Sequence, residues 1–479
     1  MHDSIFIDPV TRIEGHAKIT LTLDERGEVD TARFHVTEFR GFEEFCRGRP
    51  LWEMPSLTAR TCGICPVSHM IASAKAGDAV LAVAIPPAAE KLRRLVNLGQ
   101  IVQSHALSVF HLSAPDLLLG MDHDPASRNV FGLVKEHPDL ARKGIRLRQF
   151  GQEVIAHVAG QRIHAAWAVP GGVGAPLSEY DRLHLLEGIA EAKATAAETL
   201  ALFTDLLDRF EREVAAFGSF PSLFLSLVAA DGGWEHYGGT IGIVDHDGRR
   251  VVWGHDPGDY RSIIGESGED DSYLKSPYFR PPVEESGDLE AGLYRVGPLA
   301  RLNVCEWIGT PAADAALADL RERAGPIVTS SFFYHHARLI EILAALEHIE
   351  LLLRDPEITS HRVRAEAGIN RLHGVGVSEA PRGTLFHDYQ VDEEGLITAV
   401  NMIIATGQNN LAMNRTILQI AREFVHGPDV PEGALNRVEA GIRAYDPCLS
   451  CSTHAVGEMP FHISVLGPDG TLLNEVRRG

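Results

Sequence analysis

The sequence predicts an α+β protein that is predominantly helical, with long central helices, a β region at the N-terminus and a β-rich insertion. Three observations predict this. Apolar residues recur near a 3.6-residue period from Pro87 onward, further long helical segments open at Ser178 and near His335, and short strand-like runs fill the start of the chain and the stretch from Gly232 to Asn303.

Taken in order, Ser4 to Pro9, Ala17 to Leu23 and Thr31 to Phe39 read as strands, with Glu25-Arg26-Gly27 as a hairpin turn. Strands on either side put Arg12-Ile13-Glu14-Gly15-His16 in a tight connection. Leu92, Leu95, Val96, Ile101, Val102, Ala106, Val109 and Phe110 then line one face of a long helix. Ser178, with Asp181 three positions on, is an N-cap for the longest helix, predicted to run to Phe217 and stop at Gly218. A further helix spans about His335 to Arg354 and ends before Asp355-Pro356, because the residue ahead of a proline resists helical geometry. The Gly232 to Asn303 segment is rich in Gly, Pro, Asp and Tyr and carries runs such as Thr240 to Val244 and Arg249 to Val252, so it reads as a β-rich insertion on a helical body. Residues 1–454 form the expected main unit, with the insertion at about 232–303, and residues 455–479 form a C-terminal extension.

Composition narrows the class. With 479 residues and 45% hydrophobic content the chain buries a large core. Lys and Arg total 44 against 65 Asp and Glu, a net charge of -21, which argues against nucleic acid or an anionic membrane as the main partner. Four of the six cysteines fall in two pairs, leaving Cys46 and Cys305 isolated and no disulfide framework, as expected in a reducing compartment. Met1 to Asp30 has no basic segment followed by an apolar one, and no run reaches the ~20 apolar residues of a membrane helix. A cytoplasmic protein without membrane insertion is expected.

The chemistry concentrates in the two pairs. Cys62 and Cys65 stand in Arg-Thr-Cys-Gly-Ile-Cys-Pro-Val-Ser-His, and Cys448 and Cys451 in Asp-Pro-Cys-Leu-Ser-Cys-Ser-Thr-His. Two residues between thiols let both sulfurs of a pair face one point, so bringing the pairs together makes a four-thiolate metal site. The plainest use of such pairs is structural zinc. Zinc modules, however, space their pairs ~15 to 20 residues apart, whereas 383 positions separate Cys65 from Cys448. His69, His454 and Asp446 lie three or four positions, or two, from these thiols as further candidate ligands or proton carriers.

Together with Ile7-Asp8-Pro9-Val10-Thr11-Arg12-Ile13-Glu14-Gly15-His16, Arg40-Gly41-Phe42-Glu43 and Ala380-Pro381-Arg382-Gly383, the two cysteine motifs make five blocks spread over nearly the whole chain. In that order they resemble the large, catalytic subunit of nickel-iron hydrogenases. Met121-Asp122-His123-Asp124-Pro125-Ala126-Ser127-Arg128-Asn129-Val130 and Arg443-Ala444-Tyr445-Asp446-Pro447-Cys448 are most similar to the soluble NAD-reducing type. The resemblance implies the nickel-iron hydrogenase large-subunit fold and reversible splitting of H2 into protons and electrons.

It also implies roles, residue by residue. Cys62, Cys65, Cys448 and Cys451 bind nickel, with Cys65 and Cys451 bridging to an iron that carries CO and cyanide. Soft thiolates suit a redox-active late metal, and zinc has no redox chemistry. Cys448 is the candidate first base for the proton and Glu14 the next carrier, since a carboxyl group alternately accepts and donates; the plainer role for Glu14 is to pair with Arg12. Arg382 matches the arginine over the open metal position and Asp446 is its natural partner, while Thr406 matches a hydroxyl that bonds a cyanide nitrogen. Glu43 and His454 match ligands of a magnesium ion. Ser104 departs from the pattern, standing where some relatives have an aspartate. The extension after His454 matches a segment removed by a dedicated maturation protease once nickel is in place.

This chain has no further cysteine cluster, dinucleotide fingerprint or flavin motif, so electrons leave through partners. The resemblance supplies a small subunit with an iron-sulfur cluster and diaphorase subunits carrying FMN, further clusters and the NAD site. The alternatives are a cytoplasmic hydrogenase serving NADP or a deazaflavin, the quinone-binding subunit of respiratory complex I, which lacks the four cysteines, and a non-catalytic scaffold holding zinc.

Overall fold

A computed structural model describes residues 4–427 and 429–453 in full and residues 461–466 and 472–478 as backbone strands. The N-terminal strands β1 (Ser4–Ile7), β2 (Ala17–Leu23) and β3 (Val29–Val36) form an antiparallel sheet in sequence order, with Ile7 opposite Ile19 and Ala17 opposite Val36. Alternation along β2 buries Ile19, Leu21 and Leu23 on one face. The Asp24 carboxylate accepts the amides of Arg26 and Glu28, and Gly27 takes the left-handed conformation (φ 79°), which builds the expected turn.

The helical body includes α1 (Pro66–Leu81), α2 (Pro87–Leu107), α3 (Pro138–Ala159), α4 (Glu179–Leu206), α5 (Pro298–Val304), α6 (Tyr334–Arg354), α7 (Asn410–Phe424) and α8 (Glu432–Tyr445), with further helices between them. Helices α2 and α6 are its centre. Helix α2 packs on α3 and α6, α6 on α4, and α7 lies between α8 and β3. Proline opens α1, α2 and α3, where its missing N–H is one of the helix's unpaired donors in any case. Ser178 Oγ accepts the amide of Asp181 at 3.1 Å, as its N-cap role requires.

That helix does not reach Phe217. It ends at Leu206, a tight turn covers Leu207–Arg209, and a separate short helix spans Glu211–Ala216. Phe210 leaves helical geometry (φ -118°, ψ 28°) and its ring sits 5.4 Å from that of Phe332, a tertiary contact that overrides the local pattern.

Strands β4 (Leu223–Val228), β5 (Thr240–Val244) and β6 (Arg250–His255) join the two-residue β9 (Tyr294–Arg295) in a sheet of order β9-β4-β5-β6, and β7 (Ile264–Glu269) pairs with β8 (Ser272–Phe279). A third sheet holds β10 (His373–Ala380), β11 (Gly383–Val391) and β12 (Ile397–Ile403) in sequence order. Leu225, Ile241, Tyr260 and Ile264 share one buried apolar cluster with Val377, Phe386 and Ile403, so the β-rich segment is packed into the body.

Two close approaches position the chemistry. Strand β10 lies on α1 so tightly that a Cβ on Gly376 would stand 1.9 Å from Ala72 O. Only glycine fits there, and the contact carries the β10–β11 turn, with Arg382, to the end of α1 that begins after Cys65. Among the described residues no helix is long and apolar enough to cross a membrane. Beyond His454, Phe461–Leu466 and Leu472–Arg478 pair antiparallel.

Candidate metal centre

The four thiols meet. Cys62 Sγ lies 3.4 Å from Cys448 Sγ and Cys65 Sγ 3.8 Å from Cys451 Sγ, with 2.8 Å inside each pair. All four sulfurs fall within 4.8 Å of one another, all are buried and none is in a disulfide. Among the described residues they are the one group of metal-ligating side chains so convergent.

The sequence around each pair fixes its turn. In the first, the amides of Ile64 and Cys65 point at Cys62 Sγ (3.3 and 2.9 Å), and Gln100 and Gln103 of α2 both donate to Ile64 O at 2.8 and 2.7 Å. His164 Nε2 donates to Cys62 O at 2.9 Å. In the second, Cys448 N donates to Thr406 Oγ1 at 3.0 Å and Ser452 Oγ to Cys448 O at 3.1 Å. Because the Thr406 oxygen accepts that amide, its own proton is left to donate. Arg40 Nη1 ties the turns together by donating to Thr61 O (2.8 Å) and Ser450 O (3.4 Å).

Electrostatics favour a bound cation. A hydrogen bond from Cys451 helps the Cys448 thiolate, but contact with Cys62 and burial push Cys448 up to about 12. Burial, then hydrogen bonding to the other three sulfurs, raises Cys451 well above the usual thiol range. Four buried thiols cannot all ionise without a compensating charge, and a metal supplies it while replacing the protons.

Glu14 is delivered to the second pair by its neighbours. Arg12 turns away from it, donating to Asp116 Oδ1 at 2.5 Å and Leu112 O at 2.8 Å, while Thr11 N donates to Glu439 Oε1 at 2.6 Å. Arg12 and Glu14 therefore do not form the pair that their spacing allows. Leu449 N donates to Glu14 O at 3.1 Å, and the Glu14 carboxylate accepts Ser450 N (3.1 Å) at Oε2 and the Ser450 hydroxyl at Oε1. A Cβ on Gly15 would stand 2.7 Å from Leu449 Cβ, and its φ of 92° already favours glycine.

Arg382 reaches the site from the β10–β11 turn. It donates to Asp446 O through Nε and to Asp446 Oδ1 through Nη2 at 3.1 Å, and Nη1 lies 3.5 Å from Ser104 Oγ. Burial opposes its charge, but Asp446 and the sulfurs of Cys448, Cys65 and Cys62 outweigh it and hold the guanidinium firmly protonated. Burial raises the Asp446 carboxyl, although Arg382 and Arg338 pull the other way. Ser104 thus offers this arginine a neutral hydroxyl.

Glu43, half-buried on the short helix Phe42–Cys46, accepts Met402 N at 2.8 Å. His454 lies outside the described residues. His69 is buried, with its Nδ1 3.1 Å from His387 Nε2, and His387 Nδ1 is 2.6 Å from the Tyr389 hydroxyl. Sequence reasoning missed Gln100, Gln103, His164 and Ser450. Ser450 sat inside a quoted motif, whereas the two glutamines carry no local signal beyond lying four or fewer positions from Ser104.

A soft, buried, all-sulfur donor set fits a late transition metal and is a poor host for a hard cation. Similarity to known proteins agrees. A HoxL-like family model matches residues 4–39 and the nickel-dependent hydrogenase model residues 40–126. The NAD-reducing hydrogenase HoxS subunit beta of Cupriavidus necator is 42% identical over 494 residues, covering 100% of both chains. One chain of the F420-non-reducing hydrogenase vhc of Methanococcus voltae is 39% identical, with 96% of each chain covered. A crystal structure of an NAD+-reducing nickel-iron hydrogenase in the H2-reduced state superposes with a TM-score of 0.91 at 46% identity, over 94% of this chain and 99% of that one. With its thiols converging as a metal centre requires and its whole length matched, the chain belongs to the nickel-dependent hydrogenase family, as a large subunit.

Proposed function

We propose that this chain is the catalytic subunit of a hydrogenase that splits H2 reversibly and passes the electrons through partner subunits to NAD. The observation that carries the reading is the meeting of four buried thiols with Glu14 and Arg382, contributed by segments from both ends of the chain. Full-length similarity to an NAD-reducing hydrogenase subunit supports the acceptor.

Cys62, Cys65, Cys448 and Cys451 would hold nickel and an iron carrying CO and cyanide, a pair that supplies, when bound, an open metal position and redox chemistry zinc lacks. The protein's part is electrostatics and proton handling. Arg382, a fixed cation with Asp446 as its anchor, steadies negative charge beside the sulfurs. Thr406 has its hydroxyl proton to offer a cyanide nitrogen. Cys448 takes the proton released on splitting, and Glu14, whose main chain pairs beside Cys448, passes it outward. Ser450, through its amide and its hydroxyl, holds both Glu14 oxygens in place.

Glu43 and His454 are the proposed magnesium ligands, and the extension after His454 the segment removed on maturation. Residues 1–454, with an insertion at about 232–303, are then the mature unit. Proposed partners are a small subunit with an iron-sulfur cluster and diaphorase subunits carrying FMN, in the cytoplasm. The test is hydrogen-dependent reduction of NAD, NADP and a deazaflavin by the complex purified from its native host. NAD reduced fastest supports the reading; preference for another acceptor overturns the NAD assignment, and no hydrogen-dependent reduction at all overturns the enzyme assignment.

A further inference from the structure

Arg382 sits in an unusual place for a hairpin tip. Ala380 pairs with Gly383, so Pro381 and Arg382 are the two residues of a tight turn, and this turn is buried. Turns ordinarily stand in water, which satisfies the carbonyls that the strand ladder leaves over. Here the carbonyl of Pro381, and the lone pair of Ala380 O left over beyond its ladder partner Gly383, must find donors inside the protein.

Arg301 of α5 provides them. Its side chain is fully buried, and Nη1 donates to Ala380 O at 3.0 Å and Nη2 to Pro381 O at 3.3 Å. The rest of the guanidinium is engaged by two carboxylates. Nε and Nη2 grip Glu341 Oε1 and Oε2 of α6, each at 2.6 Å, and Nη1 donates to Glu379 Oε2 at 2.7 Å. That makes five hydrogen bonds for five N–H groups, the full capacity of an arginine and more than a lysine can make.

The carboxylates are satisfied in turn. Glu341 also accepts Trp234 Nε1 at 3.0 Å and His105 Nε2 at 2.9 Å, and Glu379 Oε1 accepts Leu227 N at 2.8 Å and Thr384 Oγ1 at 2.7 Å. Asn97 Nδ2 donates to the main-chain oxygen of Glu379 at 3.2 Å. The residues immediately before Arg382 are thus clamped to α2, α5 and α6 by one saturated polar network. No hydrogen bond named in that network reaches a thiol, so its effect on the site passes through the Arg382 backbone and through α2, where His105 follows Ser104.

We propose that Arg301 is the positioning residue that fixes Arg382 beside the metal-binding thiols. The inference rests on the reading of Arg382 given above. Lysine at 301 would keep the positive charge between Glu341 and Glu379 but leave at least one turn carbonyl without a donor, letting the turn shift while the fold stands.

The test is a double-mutant cycle on the enzyme purified from its native host, with Arg301→Lys, Arg382→Lys and both together. Turnover is read beside nickel and iron content and the infrared stretching bands of the iron-bound CO and cyanide. A displacement near 1 Å at a catalytic group lowers turnover on the order of 100-fold, so Arg301→Lys is expected to lose about that much with native metal content. Its infrared bands are expected to shift in the direction seen for Arg382→Lys, and the double variant to be no slower than Arg382→Lys alone. Independent losses that multiply, or native turnover with unshifted bands in Arg301→Lys, would overturn the inference. If Arg301→Lys fails to load metal, Thr384→Val removes one donor to Glu379 and leaves the ion pairs intact; shifted bands there support the clamp, and native bands and turnover overturn it. Native turnover in Arg382→Lys contradicts the assignment of Arg382 itself, a separate failure.

Discussion

Glu14→Gln separates the proton-handling account from a structural one. Glu14 is half-buried, and both its carboxylate oxygens accept hydrogen bonds from Ser450, one from the amide at 3.1 Å and one from the hydroxyl. An amide in its place keeps one acceptor and turns the other into a donor, so the bond to the Ser450 hydroxyl must reverse and both bonds lose their charged partner. A hydrogen bond to a charged group is worth about 1.5–3 kcal/mol, and the Ser450 hydroxyl can rotate to accept instead, so the stability loss is expected near the low end. The main-chain bond from Leu449 N to Glu14 O is untouched, so the second thiol pair keeps its place. Loss of a general acid or base, by contrast, lowers the rate about 10²- to 10⁴-fold. The assay is exchange between D2 and water protons, which reports splitting and proton release at the site without any electron acceptor. The expected result is release of HD and H2 slowed at least about 100-fold with nickel and iron content unchanged. Glu14→Gln with native exchange and native metal content would refute Glu14 as the carrier.

Three further outcomes follow from the geometry. Gly15→Ala places a methyl group 2.7 Å from Leu449 Cβ at φ 92°, so strain of about 1–3 kcal/mol and overpacking of about 1–3 kcal/mol should displace the second thiol turn and lower nickel content; full loading would show that this contact is dispensable. Cys448→Ser should abolish nickel binding while the far-ultraviolet circular dichroism stays native, because the main apolar core does not include the four thiols; an unfolded variant would favour a structural metal. Lys75 is half-buried, its ammonium donating to Tyr237 O and Val377 O, and loss of water around it, opposed by Glu235, lowers it from 10.5 to about 8. Between pH 8 and 10.5 the unfolded chain therefore holds a proton that the folded chain has released, so stability should rise with pH across that window, by roughly 3.5 kcal/mol at ~1.4 kcal/mol per pH unit. Urea unfolding of the metal-free chain against Lys75→Met measures it, and a wild-type advantage that does not grow with pH contradicts it.

The thiol pairs were legible because their spacing is itself chemistry, and the helices because their apolar period is strong over many turns. Whether Glu14 pairs with Arg12 could not be read locally: the answer depends on Asp116, a hundred positions away, which takes the arginine and leaves the carboxylate to Ser450. Arg301, Glu341 and Glu379 share that difficulty. Each is a charged residue in a helix or strand, a pattern that usually marks a solvated face, and only the fold shows that they meet at zero exposure. The end of α4 at Leu206 was hidden for the same reason, because the ring that draws Phe210 out of the helix belongs to Phe332.

The central claim is that four thiolates from opposite ends of the chain hold a nickel-iron centre. Plasma mass spectrometry on the complex purified from its native host tests it most directly. The account predicts nickel and iron each near one per large subunit, once cluster iron in the partners is allowed for, and loss of nickel in Cys448→Ser. Zinc at that stoichiometry without nickel would contradict it and leave a structural four-thiolate site.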